Sequence, residues 1–414
     1  MSSSDLSRNA RSLSASLDGS DAEGDSPAGR SSGAPADVMR ARTLILRNGW
    51  NATAYQILNP GFDLWFSPAG DAVVGYVRRA GVHVVAGAPI CTVERLVAVH
   101  EEFVAASRAV GARVCYFGAG HRLEEEMQAL RRRSVVLLGA QPVWNPATFA
   151  ATMHSHASLR AQLHRARNKD IEVAEWPAER VRAEPGLARV LAEWLATRGL
   201  PPLSFLVEPD TLGRLFDRRV FVAGRDLDRG GAPVGFLMAS PVPARDGWLV
   251  EQIIRGRDAP NGTSELLVTQ AMAAMAASGA PYATLGLAPL SRRSGVQPST
   301  TPAWLRATLE LVRAHGRRFY NFDGLDAFKA KLLPECWEPI YAISDEDRFS
   351  PRTLYAIASA FSGGSPLVLV ARAVGRAIAQ EARWAWAELA DSGRNRVRPP
   401  PAAPARRPPT GRRD

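Results

Sequence analysis

Two blocks of this sequence repeat one order of elements, and the repetition limits the fold more tightly than any compositional figure. In the first block, residues 62–67, 72–78 and 82–86 read as successive strands, split by the turn signals Pro68-Ala69-Gly70-Asp71 and Ala80-Gly81. A helical run over 92–111 follows, with Leu96, Val97, Val99, Phe103, Val104 and Val110 as its apolar positions, and then a strand over 113–117. In the second block, a helix over 157–168, a strand over 172–175 and a helix over 187–197 precede strands over 220–223, 233–241 and 247–254. A helix over 264–277 and a strand over 282–285 close it. Antiparallel strands leading into a helix and a further strand, twice over, predict two similar α/β units meeting near residues 145–155.

The ends differ from this body. Residues 1–40 lack apolar periodicity and read as a disordered leader, and residues 392–414 hold seven arginines against one acid and read as a disordered basic Pro/Arg tail. Between them the expected division is a first domain at 41–150, a second at 151–345 carrying the active site, and C-terminal helices at 346–391. That last region sets Arg372, Arg376 and Arg383 against Leu367, Val370, Val374 and Ile378, followed by Trp384 and Trp386, the pattern of an interfacial helix or of one packed on the domain. The formal net charge of +10 is shared by the body, so an anionic partner such as nucleic acid, a phosphorylated cofactor or a membrane surface fits. Cys91, Cys115 and Cys336 are scattered without metal-ligand spacing, which indicates neither a disulfide framework nor a zinc site and favours a reducing compartment. With no signal-peptide core and no run of 18 apolar residues, the expected location is cytoplasmic, or peripheral on the inner face of the cell membrane.

Three stretches carry candidate chemistry. In WLVEQIIRGRDAPNGTSELLVT (248–269), a strand runs through a polar turn into a helix, and Arg255, Arg257, Asn261 and Gly262 crowd the turn. Thr263 or Ser264 can cap the helix, so free N–H groups and a positive dipole end meet guanidinium groups at one spot, an anion site in outline. An ordinary capped surface turn is the plain alternative. On the same strand, Glu251 and Gln252 interrupt an apolar run, and in a regular strand one of them faces the pocket above the helix while the other faces away. In FYNFDGLDAFKAKLLPECWEPIY (319–341), two of the chain's three lysines, Lys329 and Lys331, lie two residues apart in a protein with 48 arginines. A compact ammonium can meet a phosphate or a developing oxyanion where a flat guanidinium does not fit. Core packing is the competing account of that region. In HSHASLRAQLHRARNK (154–169), Arg160, His164 and Arg167 share one helix face, suited to RNA or phospholipid headgroups, or only to solvent.

GxxxxGK[ST], GxGxxG and HExxH are absent, and GxSxG occurs only as GRSSG at 29–33, in the polar leader away from any strand-to-helix turn. This argues against serine-hydrolase, P-loop, Rossmann and zincin chemistry and leaves group transfer from a phosphate-bearing donor. The GYVRRAGVHVVAGAPI strand pair, the basic helix after Trp144-Asn145-Pro146, the RGRDAPNGTSELL junction and NFDGLDAFKAKLLPECWEPIY together resemble the C-terminal catalytic domain of phosphatidylglycerol lysyltransferases over residues 41–345. The resemblance implies two tandem GNAT-like acyltransferase domains, α/β units with mixed, largely antiparallel sheets flanked by helices. It also implies aminoacyl-tRNA as donor and an anionic phospholipid as acceptor; no metal or bound cofactor is expected from the residues themselves. Carried onto this sequence, Arg255 with Lys329 or Lys331 stabilises charge and Glu251 is the nearby acid; from the stretches themselves, Gln252, Arg257, Asn261, Gly262, Thr263, Arg160, His164 and Arg167 are the candidate substrate-binding residues. Two departures accompany it. The multi-helix membrane domain of many relatives has no counterpart here, so product would be made but not translocated. The acid expected three positions before Arg255 is Gln252, which weakens the case for a cationic aminoacyl group. An acyl-CoA-dependent N-acyltransferase making an acylated amine lipid, and a non-catalytic lipid- or RNA-binding module, are the competing readings.

Overall fold

The computed structural model describes residues 35–128, 130, 132–197, 205–206, 212–296, 301–315 and 322–362. The interfacial helix expected at 366–389 and the basic tail lie outside the described residues. The chain begins with α1 (Pro35–Asn48), β1 (Asp63–Phe66), β2 (Val73–Arg79), β3 (Val82–Ala86), α2 (Leu96–Ala109), β4 (Arg113–Ala119), α3 (His121–Glu126) and β5 (Ser134–Trp144). It continues through α4 (Pro146–Ser155), α5 (Ala157–Arg167), β6 (Glu172–Trp176), α6 (Ala178–Ala183), α7 (Pro185–Ala196), β7 (Arg219–Gly224), β8 (Pro233–Val242) and β9 (Gly247–Arg255). It ends with α8 (Thr263–Ala277), β10 (Tyr282–Thr284), β11 (Ala288–Pro289), α9 (Ala303–His315), α10 (Phe322–Lys331), β12 (Cys336–Ser344) and α11 (Pro351–Ser362). Helix α1 starts at Pro35, inside the span expected as leader: Asp37 stands in its first turn, and Ala41, Leu44 and Ile45 bury one stripe of it.

The repeat read from the sequence is present in the topology. Strand β3 passes through α2 to a parallel neighbour, β4, and β9 passes through α8 to a parallel neighbour, β10, whereas β1–β2–β3 and β6–β7–β8–β9 are antiparallel. The two units nevertheless share a single sheet of 12 strands, ordered β1-β2-β3-β4-β12-β5-β10-β9-β8-β7-β6, with β11 set against β5. The last strand of each unit has crossed into the other. Strand β5, which follows β4 in the chain, pairs with β10, and β12, which follows β10, pairs with β4. The two exchanged strands pair with one another from Cys336↔Val143 to Ser344↔Ser134 at the centre of the sheet.

Helices cover both faces. On the first unit, α2 seals Val99 and Phe103 against Val85, Val114 and Tyr116, while α1 and α11 close the other face with Ile45, Ile57, Val84 and Ala356. On the second, α8 lies between the sheet and the pair α4/α5. It is buried nearly all round, through Leu266, Leu267, Val268, Met272 and Met275, as an apolar helix without a polar face must be. On the opposite face α6 and α7 bury Val181, Leu187 and Val190 against Val222 and Phe236.

Candidate active site

Where the exchanged strands meet the loops of both units, the protein encloses a cavity of about 2090 Å³. Small-molecule pockets usually hold about 300–1,000 Å³, so this one has room for two substrates side by side. Part of the wall is apolar, formed by Phe117, Leu138, Leu206, Leu309 and Phe361 of one core cluster; polar wall residues are Arg245, Glu251, Gln252, Lys329 and Glu338.

Lys329 is the most unusual group on the polar wall. It comes from α10, is 4% exposed, and donates from Nζ to the carbonyls of Gly286 (2.8 Å) and Leu287 (2.9 Å) just past β10. Burial pushes its pKa down to about 7, against a smaller opposing pull from Asp326. A neutral amine spends two N–H groups on those carbonyls and keeps its lone pair; an ammonium has one further N–H to offer. Lys331 does something else. Two positions along a helix turn the side chain by about 200°, and its Nζ pairs with Glu265 of α8 at 2.9 Å. The paired lysines of the sequence are therefore split, one in the cavity wall and one in an ion pair behind it.

Glu251 and Gln252 both line the cavity, although a regular strand sends them to opposite faces. The reason is a β-bulge: Met238 pairs with Gln252 and the next residue, Ala239, with Val250, so Glu251 is an extra residue in β9. Glu251 is also not a free carboxylate. Arg218 holds it at 3.0 Å, with the two side chains 2% and 4% exposed. Arg218 also donates to Asn59 Oδ1 and the Arg214 carbonyl and lies over the Tyr55 ring. Tyr55 and Arg42 in turn hold Asp217, whose pKa is lowered chiefly by the Arg42 hydrogen bond. A line of charges thus runs from α1 to the bulge.

A third group adjoins these. Arg245 clamps Glu338 through two hydrogen bonds of 2.6 and 2.9 Å and stacks 3.6 Å over Tyr282 and 5.2 Å over Trp50. Gln141, opposite Glu338 in the β5–β12 register, donates to the Tyr282 hydroxyl and to Glu338. Sequence reasoning passed over Arg218, Arg245, Gln141 and Trp50. Glu338 lay within the 319–341 stretch without being singled out, and only the strand exchange brings it to Gln141.

The β9–α8 bend differs from the expected anion site. Its cap is Gly262 at φ 94°, and neither Thr263 nor Ser264 caps; Thr263 Oγ1 instead donates to the Pro260 carbonyl. A Cβ on Gly262 would stand 2.0 Å from the Gln162 carbonyl oxygen, because α5 packs directly on the bend. The Arg257 N–H is taken by the Glu193 carboxylate at 3.0 Å. Arg255, Arg257 and Asn261 are exposed and outside the cavity lining, and of the bend only Ser264, at the start of α8, reaches the cavity that Lys329 lines, so the guanidinium groups of the bend and the lysine wall are not one site. Helix α5 buries Leu159, Leu163 and Ala166 and leaves Arg160, His164 and Arg167 exposed on a separate basic face. Among the described residues no group of three or more His, Cys, Asp or Glu side chains is placed to hold a metal ion, and no helix is long and apolar enough to cross a membrane.

Comparison with known proteins agrees with this architecture. Residues 42–344 match the family Phosphatidylglycerol lysyltransferase, C-terminal. A phosphatidylglycerol lysyltransferase of Bacillus subtilis (strain 168) is 25% identical over 332 residues, which is 78% of this chain and 37% of that relative's length. Among solved structures, the C-terminal domain of a putative lysylphosphatidylglycerol synthetase from Agrobacterium fabrum is 26% identical with a TM-score of 0.65, over 80% of this chain and 98% of that one. The L-PGS from Bacillus licheniformis is 20% identical and shares the fold, with a TM-score of 0.65 over 78% of this chain and 95% of its own. The fold is the mixed α/β arrangement expected, and with the match extending over most of its length the chain belongs to the phosphatidylglycerol lysyltransferase C-terminal family.

Proposed function

We propose that the protein is an aminoacyltransferase that moves an aminoacyl group from aminoacyl-tRNA to a hydroxyl of a membrane lipid such as phosphatidylglycerol. The observation that carries this reading is Lys329, a buried amine poised near neutrality on the wall of a cavity large enough for two substrates. Lys329 accepts the proton of the lipid hydroxyl as its oxygen attacks the aminoacyl ester carbon. The ester bond to the tRNA 3′ end breaks, and the departing oxygen recovers the proton. The ammonium formed in between donates to the carbonyl oxygen while it carries negative charge. Arg218 holds Glu251 in the wall of this region, and the basic face of α5 meets the phosphates of the tRNA. The chain spans 37% of the curated relative's length, so the activity of that whole protein stands as a proposal for this one.

The test is transfer of labelled lysine or alanine from charged tRNA to phosphatidylglycerol vesicles by the purified chain. Labelled lipid should form, RNase should abolish it, and Lys329→Met should slow it by about 10²–10⁴; transfer that survives RNase rejects the donor. The acyl-CoA reading is disfavoured by the bend, where the Glu193 carboxylate already takes the Arg257 N–H that a donor diphosphate would need and sets a negative charge beside it. Acyl-CoA supplied without RNA should give no acylated lipid.

A further inference from the structure

Helix α1 buries Ala41, Leu44 and Ile45 but leaves Met39 at 52%, Leu46 at 37% and, two residues past its end, Trp50 at 38% exposure. Met39, Thr43 and Leu46 follow the i, i+4, i+7 spacing of one helix face, and Trp50 extends the line by a further turn. Basic side chains flank it. Arg40 and Arg47 are exposed, Arg40 lying over the Phe66 ring, and Trp50 sits 4.8 Å beneath Arg122 and 5.2 Å beneath Arg245. Aromatic rings beside guanidinium groups are the side chains that settle at a bilayer's headgroup level, and an apolar stripe with a basic rim is complementary to an anionic bilayer.

The stripe is also continuous with the cavity. Arg47, Trp50 and Arg122 line the cavity, and α1 rests on the same apolar cluster as Phe117, Leu138, Leu206, Leu309 and Phe361 of its apolar wall.

We propose that the face of α1 bearing Met39, Leu46 and Trp50 docks on an anionic phospholipid surface and sets the cavity mouth against the headgroups. The proposal rests on the lipid-acceptor reading, but its test needs no turnover. The full chain is sedimented with phosphatidylglycerol/phosphatidylcholine vesicles, with no RNA present. Met39→Ser/Leu46→Ser should lower the vesicle partition coefficient about tenfold, the loss expected when two apolar side chains leave an interface. Arg47→Glu should remove the preference for phosphatidylglycerol over phosphatidylcholine. Val110→Ser, at a 72% exposed apolar residue just past α2, should bind as wild type. Circular dichroism and size-exclusion chromatography accompany each variant. Wild-type sedimentation by the double variant overturns the proposal, as does a wild-type dimer that the double variant dissolves, since the stripe would then face a second copy. Transfer activity failing while these binding results hold rejects the catalytic reading alone.

Discussion

At the scale of single residues, the cavity is organised by groups that cannot exchange roles. Lys329 titrates near neutrality because it is buried, so kcat/KM should rise with pH through about 7 and level off. Lys329→Met should lower kcat by about 10²–10⁴ while Lys331→Met, which breaks an ion pair behind the wall, lowers stability far more than rate. The stability consequence has a definite sign. The native lysine has released its proton above about pH 7, whereas an unfolded lysine holds it to about 10.4. The unfolded chain therefore binds more protons between those values, and the contribution of Lys329 to stability is smallest below pH 7 and grows as pH rises to about 10. Thermal melts of wild type and Lys329→Met across pH 6 to 10 should show the difference shifting in favour of wild type. Arg218→Met leaves the Glu251 carboxylate buried and alone, which should cost about 3–5 kcal/mol in chemical denaturation. The scarcity of lysine made Lys329 visible in the sequence, but the half-turn that separates it from Lys331 becomes visible only once α10 is formed.

At the scale of elements, what was legible depended on locality. The strands of both blocks and the helices α2, α5, α7 and α8 follow from periodicity within a dozen residues, and the structure places them within a few residues of the expected bounds. Strand β5 was not legible: its neighbours β10 and β12 lie some hundred or more residues away, and a strand in the middle of a covered sheet shows no clean alternation. The bulge at Glu251 escaped for a similar reason, since an extra residue is defined only by the register with β8. The bend before α8 also reads differently once α5 is packed on it. Gly262→Ala puts a methyl group into the Gln162 carbonyl at a positive φ, and should lower the melting temperature by several degrees where Gly279→Ala, with open space around it, costs less. On α5 the exposed face is a matter of charge alone. Arg160→Glu/Arg167→Glu should weaken tRNA binding and flatten its salt dependence by about one unit of slope for each phosphate no longer held, with melting temperature unchanged.

At the scale of the whole molecule, the repeated blocks and the single sheet coexist because the blocks traded their last strands. Cutting the chain near residue 150 should therefore not release two folded halves. Each piece alone should be insoluble or unfolded, and co-expression should restore a soluble complex, joined also by the Arg42–Asp217 ion pair between α1 and the segment before β7, measurable by co-purification. Many bilobed enzymes admit substrates by swinging their lobes apart. Here such a swing would have to unzip a nine-residue ladder at the middle of the sheet, so the body that surrounds the cavity acts as a rigid frame, and reactants must come and go by small displacements of loops and helix ends at its rim.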